Sequence, residues 1–493
     1  MTRTAAIIGA GVGGLSAALA VASRPGWEVV VIEAADSPGG KVGIASVDGV
    51  EFDTGPSLLT LPSIVEEVAG QAGFQLDEEL TLFRPEPMGR YRFSDGTWFD
   101  VGPDRETTVR NIADGLGDGA ARQFDEFMDY ARRIWEAAAP HFVLGGSPTM
   151  GTALKLGLKG LKAFRAIDPM STMLEAIETR VSDARIQSVL LRYATFNGSD
   201  PRRAPATLNC ISWVDHGIGG WGVEGGMYRL VEVLEQLGKR VGARYVYDSA
   251  VTSIQPDGRR FRVRSQRCDL DDVHAVIVNA DVRHLCDSLW EGGDDHGLSQ
   301  DDELSTSGFT AVIRARRRSP KRRPAHEIVY ERSDYLEEFA DLFDRRRPPD
   351  EPTIYLCARE KAHRAEGWAD EEPLFVMVNA PPMTAQTADV DWARLEADVV
   401  ERLRRRELID ADDEVVWRRT PVELAKRFPG SRGSLYGAAS NSRFSAFQRP
   451  ANRVDGIDGM YLASGSAHPG GGVPLCIQSG RRAVVELTED FEG

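Results

Sequence analysis

The first part of the chain alternates between short apolar runs and one segment with helical periodicity. Residues 5–8 and 29–32 are uninterrupted apolar runs, the pattern of strands buried in a parallel sheet. Between them, apolar positions within 15–22 recur at helical spacing, directly behind a glycine-rich segment at 9–14. The pattern predicts a strand–turn–helix–strand unit.

The glycine-rich segment reads GAGVGG and matches the pattern GxGxxG. In this context Gly9 permits a tight turn, Gly11 lets the backbone approach a pyrophosphate, and Gly14 lets helix and strand pack closely. Glu33 ends the second strand, where a carboxylate accepts hydrogen bonds from a ribose 2′-hydroxyl and repels a 2′-phosphate. The segment predicts a dinucleotide site that disfavours NADP; the alternative is a helix-packing turn rich in alanine and glycine.

A second glycine cluster lies far along the chain, at 465–472. An apolar run at 461–463 leads into it, and residues 477–487 again have the periodicity of a helix. Two glycine-rich strand-to-helix turns, one early and one late in the chain, predict a single site built from both. The middle of the chain is then inserted between the two halves of that site.

The middle of the chain predicts helices first and a second sheet afterwards. Residues 106–200 carry large apolar side chains at helical spacing, which we interpret as core: Phe124, Phe127, Tyr130, Ile134 and Trp135. Three later apolar runs predict strands over a cofactor: 310–313, 353–356 and 374–378. Pro381 and Pro382 end the last strand because proline cannot continue a central ladder.

Three basic segments stand out. In 150–166, leucines share one face while Lys155, Lys159, Lys162 and Arg165 gather on the adjacent arc. This is the pattern of a helix lying on an anionic bilayer, and equally that of a surface helix with a solvated basic face. The arginine runs at 314–323 and 345–347 lack interleaved aromatic residues, so we interpret them as solvated loops.

Composition narrows the class of protein. The 493 residues carry 75 acidic and 59 basic side chains, a net charge of −16, which argues against nucleic-acid binding. Hydrophobic residues at 42% and charged ones at 27% are ordinary for a folded domain. The 5 cysteines form no CxxC pair, so we expect neither a metal site nor disulfides. Residues 5–22 could pass for a signal peptide, but their glycines and the strand that follows oppose that interpretation.

Two further motifs distinguish FAD from NAD. The sequence PGGK at 38–41 follows Glu33 closely and is similar to the glycine pair of large flavoproteins, including amine oxidases and carotenoid desaturases. The segment FDTGPSLL at 52–59 is similar to the stretch beside the flavin ring in the same proteins. Ordinary NAD dehydrogenases carry neither motif.

Taken in order along the chain, the motifs resemble the bacterial-type phytoene desaturase family of FAD-dependent carotenoid desaturases. The matching segments are GAGVGGLSAALA at 9–20, SPGGK at 37–41, FDTGPSLL at 52–59, VEGGMYRLVEVL at 223–234, VIVNAD at 276–281 and SGSAHPGGGVP at 464–474. Two positions depart from the common pattern: Ala467 stands where relatives carry Thr or Val, and Ser466 where an acidic residue is frequent. The second departure weakens one expected cofactor contact or leaves it to the backbone.

The resemblance implies an α/β fold with an α+β substrate part. A Rossmann-like FAD-binding domain of the amine oxidase/glutathione reductase type would comprise 1–80, 222–290 and 450–493. A substrate-binding domain would comprise 81–105 and 291–449, with a helical region at 106–221. The segment 150–166 would be its membrane contact.

The resemblance also implies the site residues. The expected FAD contacts are Gly9, Gly11, Val12, Gly13, Gly14, Glu33, Ala34, Gly39, Gly40, Lys41, Gly55, Pro56, Ser57, Val251, Asn279, Gly465, Ser466, Gly472, Val473 and Pro474. Val251 would meet the adenine through its backbone, or simply belong to a strand of the nucleotide domain. No catalytic side chain is assigned. His468 would act either as a base or, preferably, as a hydrogen-bonding prop for the late glycine turn. Asp53 would act either as a base or, preferably, as a group that positions the flavin.

The implied activity is desaturation of an acyclic carotenoid by hydride transfer to flavin, with a hydroxylated carotenoid suggested by FDTGPSLL and GGGVPLC. The implied partners are a hydrophobic polyene, oxygen or a quinone as electron acceptor, and the cytoplasmic face of the plasma membrane. Three flavoenzyme alternatives stay open: a retinol-saturase-like enzyme, a carotenoid end-group oxidase and an amine oxidase. A non-enzymatic isoprenoid-binding protein resembling the GDP-dissociation inhibitors is the fourth.

Overall fold

A computed structural model of the chain describes residues 2–146, 166–292, 298, 303–319, 321–442 and 449–492. The basic segment at 150–166 lies outside the described residues, apart from Ala166, so its membrane role stays a prediction. Among the described residues, no helix combines the length and the apolar character needed to cross a membrane.

The strands of the described residues are β1 (Arg3–Ile8), β2 (Trp27–Ile32), β3 (Ile44–Val47), β4 (Val50–Asp53), β5 (Leu59–Thr60), β6 (Leu82–Phe83), β7 (Gly89–Arg92), β8 (Trp98–Val101), β9 (Gly220–Val223), β10 (Arg244–Val246), β11 (Val251–Asp257), β12 (Arg260–Ser265), β13 (Leu270–Val273), β14 (Ala275–Val278), β15 (Ser307–Arg316), β16 (His326–Val329), β17 (Ile354–Ala358), β18 (Glu371–Ala380), β19 (Glu414–Arg419) and β20 (Met460–Leu462). The α-helices are α1 (Val12–Ala22), α2 (Pro62–Gln71), α3 (Leu76–Glu79), α4 (Arg105–Leu116), α5 (Asp118–Ala138), α6 (Met173–Glu178), α7 (Ala184–Leu191), α8 (Cys210–Trp213), α9 (Tyr228–Arg240), α10 (Val282–His284), α11 (Leu336–Phe339), α12 (Arg359–His363), α13 (Trp392–Arg405), α14 (Pro421–Arg427) and α15 (Val473–Glu492). Short 3-10 or π turns extend several of them, among them Ala139–Val143 after α5 and Arg192–Phe196 after α7.

A five-stranded parallel sheet joins the early and late parts of the chain in the order β10-β2-β1-β14-β20. β1 pairs with β2 on one edge and with β14 on the other, so Ala5 lies between Val29 and Ala275. Its apolar runs are covered on both faces, as the sequence predicts: by α1, α9 and α15 on one side and by β11–β13 on the other. The early and late glycine turns therefore belong to one sheet.

Helices α1 and α15 cross at very short range. A Cβ at Gly480 would lie 2.1 Å from the Gly13 carbonyl oxygen, so the crossing depends on glycine there. Ser16 adds a buried hydrogen bond, its hydroxyl donating to the Ile477 carbonyl at 2.9 Å. The predicted helix at 477–487 is confirmed as part of α15, and it packs on the helix of the first glycine turn.

A seven-stranded mixed sheet forms the second layer, in the order β19-β15-β18-β17-β16-β7-β8. The three strands predicted at 310–313, 353–356 and 374–378 are confirmed as parts of β15, β17 and β18, which lie side by side. β18 ends at Ala380, directly before the two prolines. The strands of this sheet come from 89–101 and 307–419, which fits the predicted substrate domain, while the exact domain boundaries stay a prediction.

The helical region packs against this second sheet. Helix α5 buries Phe124, Phe127, Tyr130 and Ile134, which confirms their interpretation as core. Tyr91 of β7 and Tyr330 belong to the same apolar cluster, so the helices and the sheet share one core.

The solvated-loop interpretation of the arginine runs is confirmed for 345–347, whose residues are exposed and lie outside the helices and strands, and it is wrong for Arg314 and Arg323. Arg314 lies within β15, and the guanidinium of Arg323 is 2.8 Å from Glu372, with both side chains almost fully buried. Arg345 and Arg347 both pair with the buried carboxylate of Asp341. Because Glu372 is far from Arg323 in sequence, the local arginine pattern gave no sign of its partner.

Candidate functional site

A cavity of about 1190 Å³ runs from the parallel sheet to the seven-stranded sheet. It exceeds the roughly 300–1,000 Å³ usual for a site that holds one small ligand. Most of the residues predicted to bind FAD line it: Gly9, Gly11, Val12, Gly13, Glu33, Ala34, Gly39, Gly40, Lys41, Gly55, Pro56, Ser57, Val251, Asn279, Gly465, Ser466, Gly472, Val473 and Pro474. The cavity has room for a dinucleotide at one end and a second molecule at the other.

The first glycine turn has the geometry that a pyrophosphate needs. Gly9 has a φ of +99°, a backbone conformation that favours glycine. A Cβ at Gly14 would lie 2.1 Å from the Gly9 carbonyl oxygen, so Gly14 serves helix packing, and it does not line the cavity. Helix α1 begins after Gly11 with no side chain capping it, which leaves its first N–H groups available to an anion.

Asn279 ties the two glycine turns together. Its backbone N–H donates to the Ile8 carbonyl at 2.8 Å, and its side-chain amide donates to the Ala463 carbonyl of the late turn. A Cβ at Gly11 would lie 2.5 Å from the Asn279 side-chain oxygen. The absence of a side chain at Gly11 is thus required by Asn279 as well as by an approaching phosphate.

Glu33 and Lys41 both line the cavity and are held by hydrogen bonds to backbone groups. The two carboxylate oxygens of Glu33 accept hydrogen bonds from the Ala10 N–H at 2.6 Å and the Ala35 N–H at 2.8 Å. This fixes the carboxylate on the cavity wall, and its remaining lone pairs suit the hydroxyls of a ribose. The Lys41 ammonium donates to the Ser434 and Leu435 carbonyls at 2.9 and 2.8 Å, and burial lowers its pKa.

The late glycine turn is held in place by hydrogen bonds to buried polar groups. The Ser466 hydroxyl accepts a hydrogen bond from the Val282 N–H at 3.0 Å. The serine that replaces the acidic residue frequent in relatives is therefore bonded to the protein's own backbone. Gly472 has a φ of +113°, and no atom lies within 4 Å of the position that a Cβ would occupy there. Its backbone is therefore exposed to the cavity. The backbone of this turn is therefore the part that can face a cofactor.

His468 lies in the same turn and supports its conformation. Its Nε2 donates to the Gly145 carbonyl at 3.3 Å, its N–H donates to Pro450, and its own carbonyl accepts from Asn452. Burial lowers the pKa of His468 to about 4, so the imidazole is neutral near pH 7. These contacts favour the role of His468 as a hydrogen-bonding prop for the turn over a role as a catalytic base.

Asp53 does not line the cavity. Its carboxylate accepts hydrogen bonds from the N–H groups of Met227 and Tyr228, at 3.1 and 2.8 Å, and lies 3.6 Å from the Arg359 guanidinium. It thereby holds the start of α9 against the segment that leads to Gly55. These contacts favour a positioning role for Asp53, exerted through the backbone, over a role as a base.

Several polar side chains near the predicted Ser57, in the far half of the cavity, were not anticipated from sequence. The Ser57 hydroxyl is 2.5 Å from the Tyr355 hydroxyl, which in turn is 2.8 Å from Nδ1 of His326. Arg192 and Asp215 also line this half. They lie on different elements with no common spacing, so no local motif could have revealed them.

Three further arginines that line the cavity were missed: Arg419, Arg427 and Arg449. Burial and the neighbouring Arg427 charge lower the pKa of Arg419 to about 10. Arg449 donates to the Gly465 carbonyl at 2.9 Å and so reaches the late turn. Arg419 and Arg427 add positive charge to the cavity wall, where it can interact with an anionic group.

The site fits FAD: a bare glycine turn at a helix N-terminus, a fixed carboxylate for the ribose, and a second turn whose backbone faces the same space. The chain belongs to the family of flavin-containing amine oxidoreductases, whose family model matches residues 12–488. It is a flavin-dependent oxidoreductase, and its cofactor is FAD.

Relatives within that group are similar over the full length. The chain is 31% identical to a 4,4'-diapolycopene oxygenase of a Methylomonas species, over 99% of this chain and 98% of the relative. It is 30% identical to the hydroxyneurosporene desaturase of Rubrivivax gelatinosus, over 99% and 93%. These similarities confirm the resemblance inferred from the motifs.

Among solved structures, a putrescine oxidase bound to putrescine superimposes with a TM-score of 0.62, covering 99% of both chains at 16% identity. At that identity the likeness concerns the fold alone. It confirms the expected FAD-binding α/β architecture of the amine oxidase type.

Proposed function

We propose that this flavoenzyme desaturates an acyclic carotenoid. The observation that carries the proposal is the full-length similarity to carotenoid desaturases and oxygenases, and the largely apolar lining of the cavity supports it. Bound FAD supplies the hydride acceptor for removal of two hydrogens from adjacent carbons. The chain's own part is to bind the polyene in register, exclude water and hold the cofactor.

The lining residues suit a long, apolar substrate. The far half of the cavity is walled by Met88, Phe196, Leu208, Ile211 and Ile328, together with Phe375 and Met377 of β18. No side chain is needed as a strong base, since the proton leaves from beside a developing allylic cation. His468 is neutral and engaged with Gly145, in keeping with its role as a prop.

The amine oxidase alternative has weaker support. Its structural likeness is limited to the fold, and the full-length relatives at about 30% identity carry carotenoid names. A carotenoid end-group oxidase is a second candidate, because the relative at 31% identity is a 4,4'-diapolycopene oxygenase. Both candidates use the same cavity and cofactor, and they differ in the product.

The experiment is expression in hosts that accumulate different acyclic carotenoids, with pigments identified by chromatography and mass spectrometry. Desaturation lengthens the conjugated chain and removes two hydrogens, whereas end-group oxidation adds oxygen. The expected result is a loss of two hydrogens that requires the flavin-bound protein. Pigments left unchanged in every host would contradict the proposal, as would release of hydrogen peroxide from a polyamine.

The remaining expectations belong to the same proposal. The predicted domain boundaries divide the chain so that the cavity lies between the FAD-binding and substrate-binding parts. A monotopic position on the cytoplasmic face of the plasma membrane would give the enzyme access to a lipid-dissolved polyene, with the basic segment at 150–166 as its contact. Oxygen or a quinone would take the electrons onward.

A further inference from the structure

The far half of the cavity contains one cationic side chain with an unusual environment. Arg192 lines the apolar wall, its guanidinium 5.1 Å from the ring centre of Phe196 and 5.6 Å from that of Tyr355. In the part of the chain that the structure describes, Arg192 forms no ion pair with a carboxylate. A guanidinium carries five N–H donors and no acceptor, so it needs an acceptor when water is excluded.

The Tyr91 hydroxyl is a hydrogen-bond partner of the Arg192 guanidinium, and it leads to the Asp215 carboxylate through Tyr193. The Tyr193 hydroxyl donates to Asp215 at 2.6 Å and lies 3.3 Å from the Tyr91 hydroxyl. Burial raises the pKa of Tyr91, while the Arg192 charge opposes that shift and the Asp215 charge adds to it. Both charges therefore lie close to Tyr91, and the Asp215 carboxylate lines the same cavity as the guanidinium, which favours a neutral ligand over an anion.

Among the described residues that line the cavity, two have a buried polar side-chain atom without a partner. These atoms are Oδ1 of Asp215 and Nε2 of His326, whose residues are 7% and 5% exposed and line the cavity. Nδ1 of His326 is engaged with Tyr355, and burial lowers the pKa of His326 to about 3, so the ring is neutral. The carboxylate can accept a hydrogen bond, and the imidazole nitrogen can donate or accept one, depending on its tautomer.

We propose that Arg192, Asp215 and His326 form a polar subsite that binds the hydroxyl group at one end of an otherwise apolar polyene. A hydroxyl accepts from the guanidinium and donates to the carboxylate or the imidazole, so it satisfies both kinds of group at once. A polyene without oxygen leaves them unsatisfied. The subsite rests on the proposed function for the polyene and adds to it the substrate's polar group.

The position of the subsite has a consequence for the reaction. Ser57, expected beside the flavin ring, connects through Tyr355 to His326 by contacts of 2.5 and 2.8 Å. A hydroxyl held by His326 would thus lie close to the reacting carbons. The subsite would select which bond of the polyene meets the flavin.

The test measures binding apart from turnover. The FAD-bound protein in micelles of fixed composition is titrated with two acyclic polyenes of equal conjugated length, one carrying a terminal hydroxyl and one lacking it. Quenching of tryptophan fluorescence gives each Kd. The variants are Arg192→Met and Asp215→Asn, and the matched control is Arg180→Met, because Arg180 also stacks on a tyrosine, at 4.0 Å, but does not line the cavity.

We expect the unsubstituted protein to bind the hydroxylated polyene about tenfold more tightly, as one hydrogen bond to a charged group predicts. Arg192→Met should remove that preference and leave the Kd of the other polyene unchanged, and Arg180→Met should keep it. Equal Kd values for the two polyenes in the unsubstituted protein would overturn the subsite even if the variants fail to fold. Equal weakening of both polyenes by Arg192→Met would also overturn it.

Anaerobic bleaching of the flavin separates the two proposals. If the preference holds but neither polyene reduces the flavin, the subsite stands and desaturation falls. If both polyenes reduce the flavin and bind equally, desaturation stands and the subsite falls.

Discussion

At the scale of single residues, the cofactor site depends on groups that support backbone as much as on groups that could touch FAD. Asp53 and Asn279 both bind main-chain groups of segments far away in sequence. Gly14 makes room for the Gly9 carbonyl and has no access to the cavity. The sequence predicted these residues as parts of a flavin site, but their individual tasks follow from contacts that only the folded chain creates.

Replacing His468 by Ala tests whether it is a prop or a base. We expect a several-fold loss of FAD retention, because the hydrogen bond of about 1 kcal/mol between the imidazole and the Gly145 carbonyl disappears. The rate per bound flavin should stay unchanged. The readouts are the ratio of flavin to protein absorbance and the turnover divided by bound flavin. His274→Ala is the control, because His274 accepts from the Thr4 N–H at 3.2 Å and does not line the cavity. Full occupancy with a collapsed rate would make His468 a base.

At the scale of elements, the periodicity of apolar residues predicted the parallel strands and the helices that follow them. β1, α1 and β2 arise from local pattern, and so does α15 after the late turn. The solvated interpretation of 314–323 failed because the residue that neutralises Arg323 is Glu372, on a neighbouring strand. Local charge patterns report a partner only when the partner is near in sequence.

Gly14→Ala tests the turn between β1 and α1. The added Cβ would lie 2.1 Å from the Gly9 carbonyl oxygen, so the turn must shift and its N–H groups must leave the pyrophosphate position. We expect FAD occupancy at least tenfold lower at limiting FAD, and a lower melting temperature.

The matched control is Gly70→Ala in α2, where nothing lies within 4 Å of the added Cβ. That variant should keep its flavin and gain about 0.4–1 kcal/mol of stability, because alanine restricts the unfolded chain more than glycine does. Equal flavin content in both variants would contradict the proposed task of Gly14.

At the scale of the whole molecule, the net charge of −16 describes the surface as a whole and says little about one contact face. A peripheral enzyme needs only one basic and apolar segment, and 150–166 has that composition. The cavity lies between the parallel sheet and the seven-stranded sheet, and such a segment would bring its opening to a surface where an apolar polyene is dissolved.

Exchanging Lys155, Lys159 and Lys162 for Gln tests the membrane contact. At about 1 kcal/mol for each cation near an anionic surface, binding to anionic liposomes should weaken by about two orders of magnitude. The control exchanges Lys239, Lys321 and Lys426, three exposed lysines elsewhere, which changes the net charge equally. Co-sedimentation that is unaffected, or equally affected in both triple variants, would count against the segment.

Sequence by itself determined the class of this protein: two glycine turns, their flanking strands, Glu33 and the PGGK and HPGGGVP motifs predict an FAD-binding oxidoreductase. Such motifs can be recognised from sequence because each acts within one strand–turn–helix unit. There it supplies backbone N–H groups, or a glycine without a side chain, to the cofactor. The polar group of Arg192, Asp215 and His326 was decided only by the tertiary structure. Its members come from three separate elements, and hydrogen-bond satisfaction in a closed cavity depends on distances that no spacing along the chain encodes.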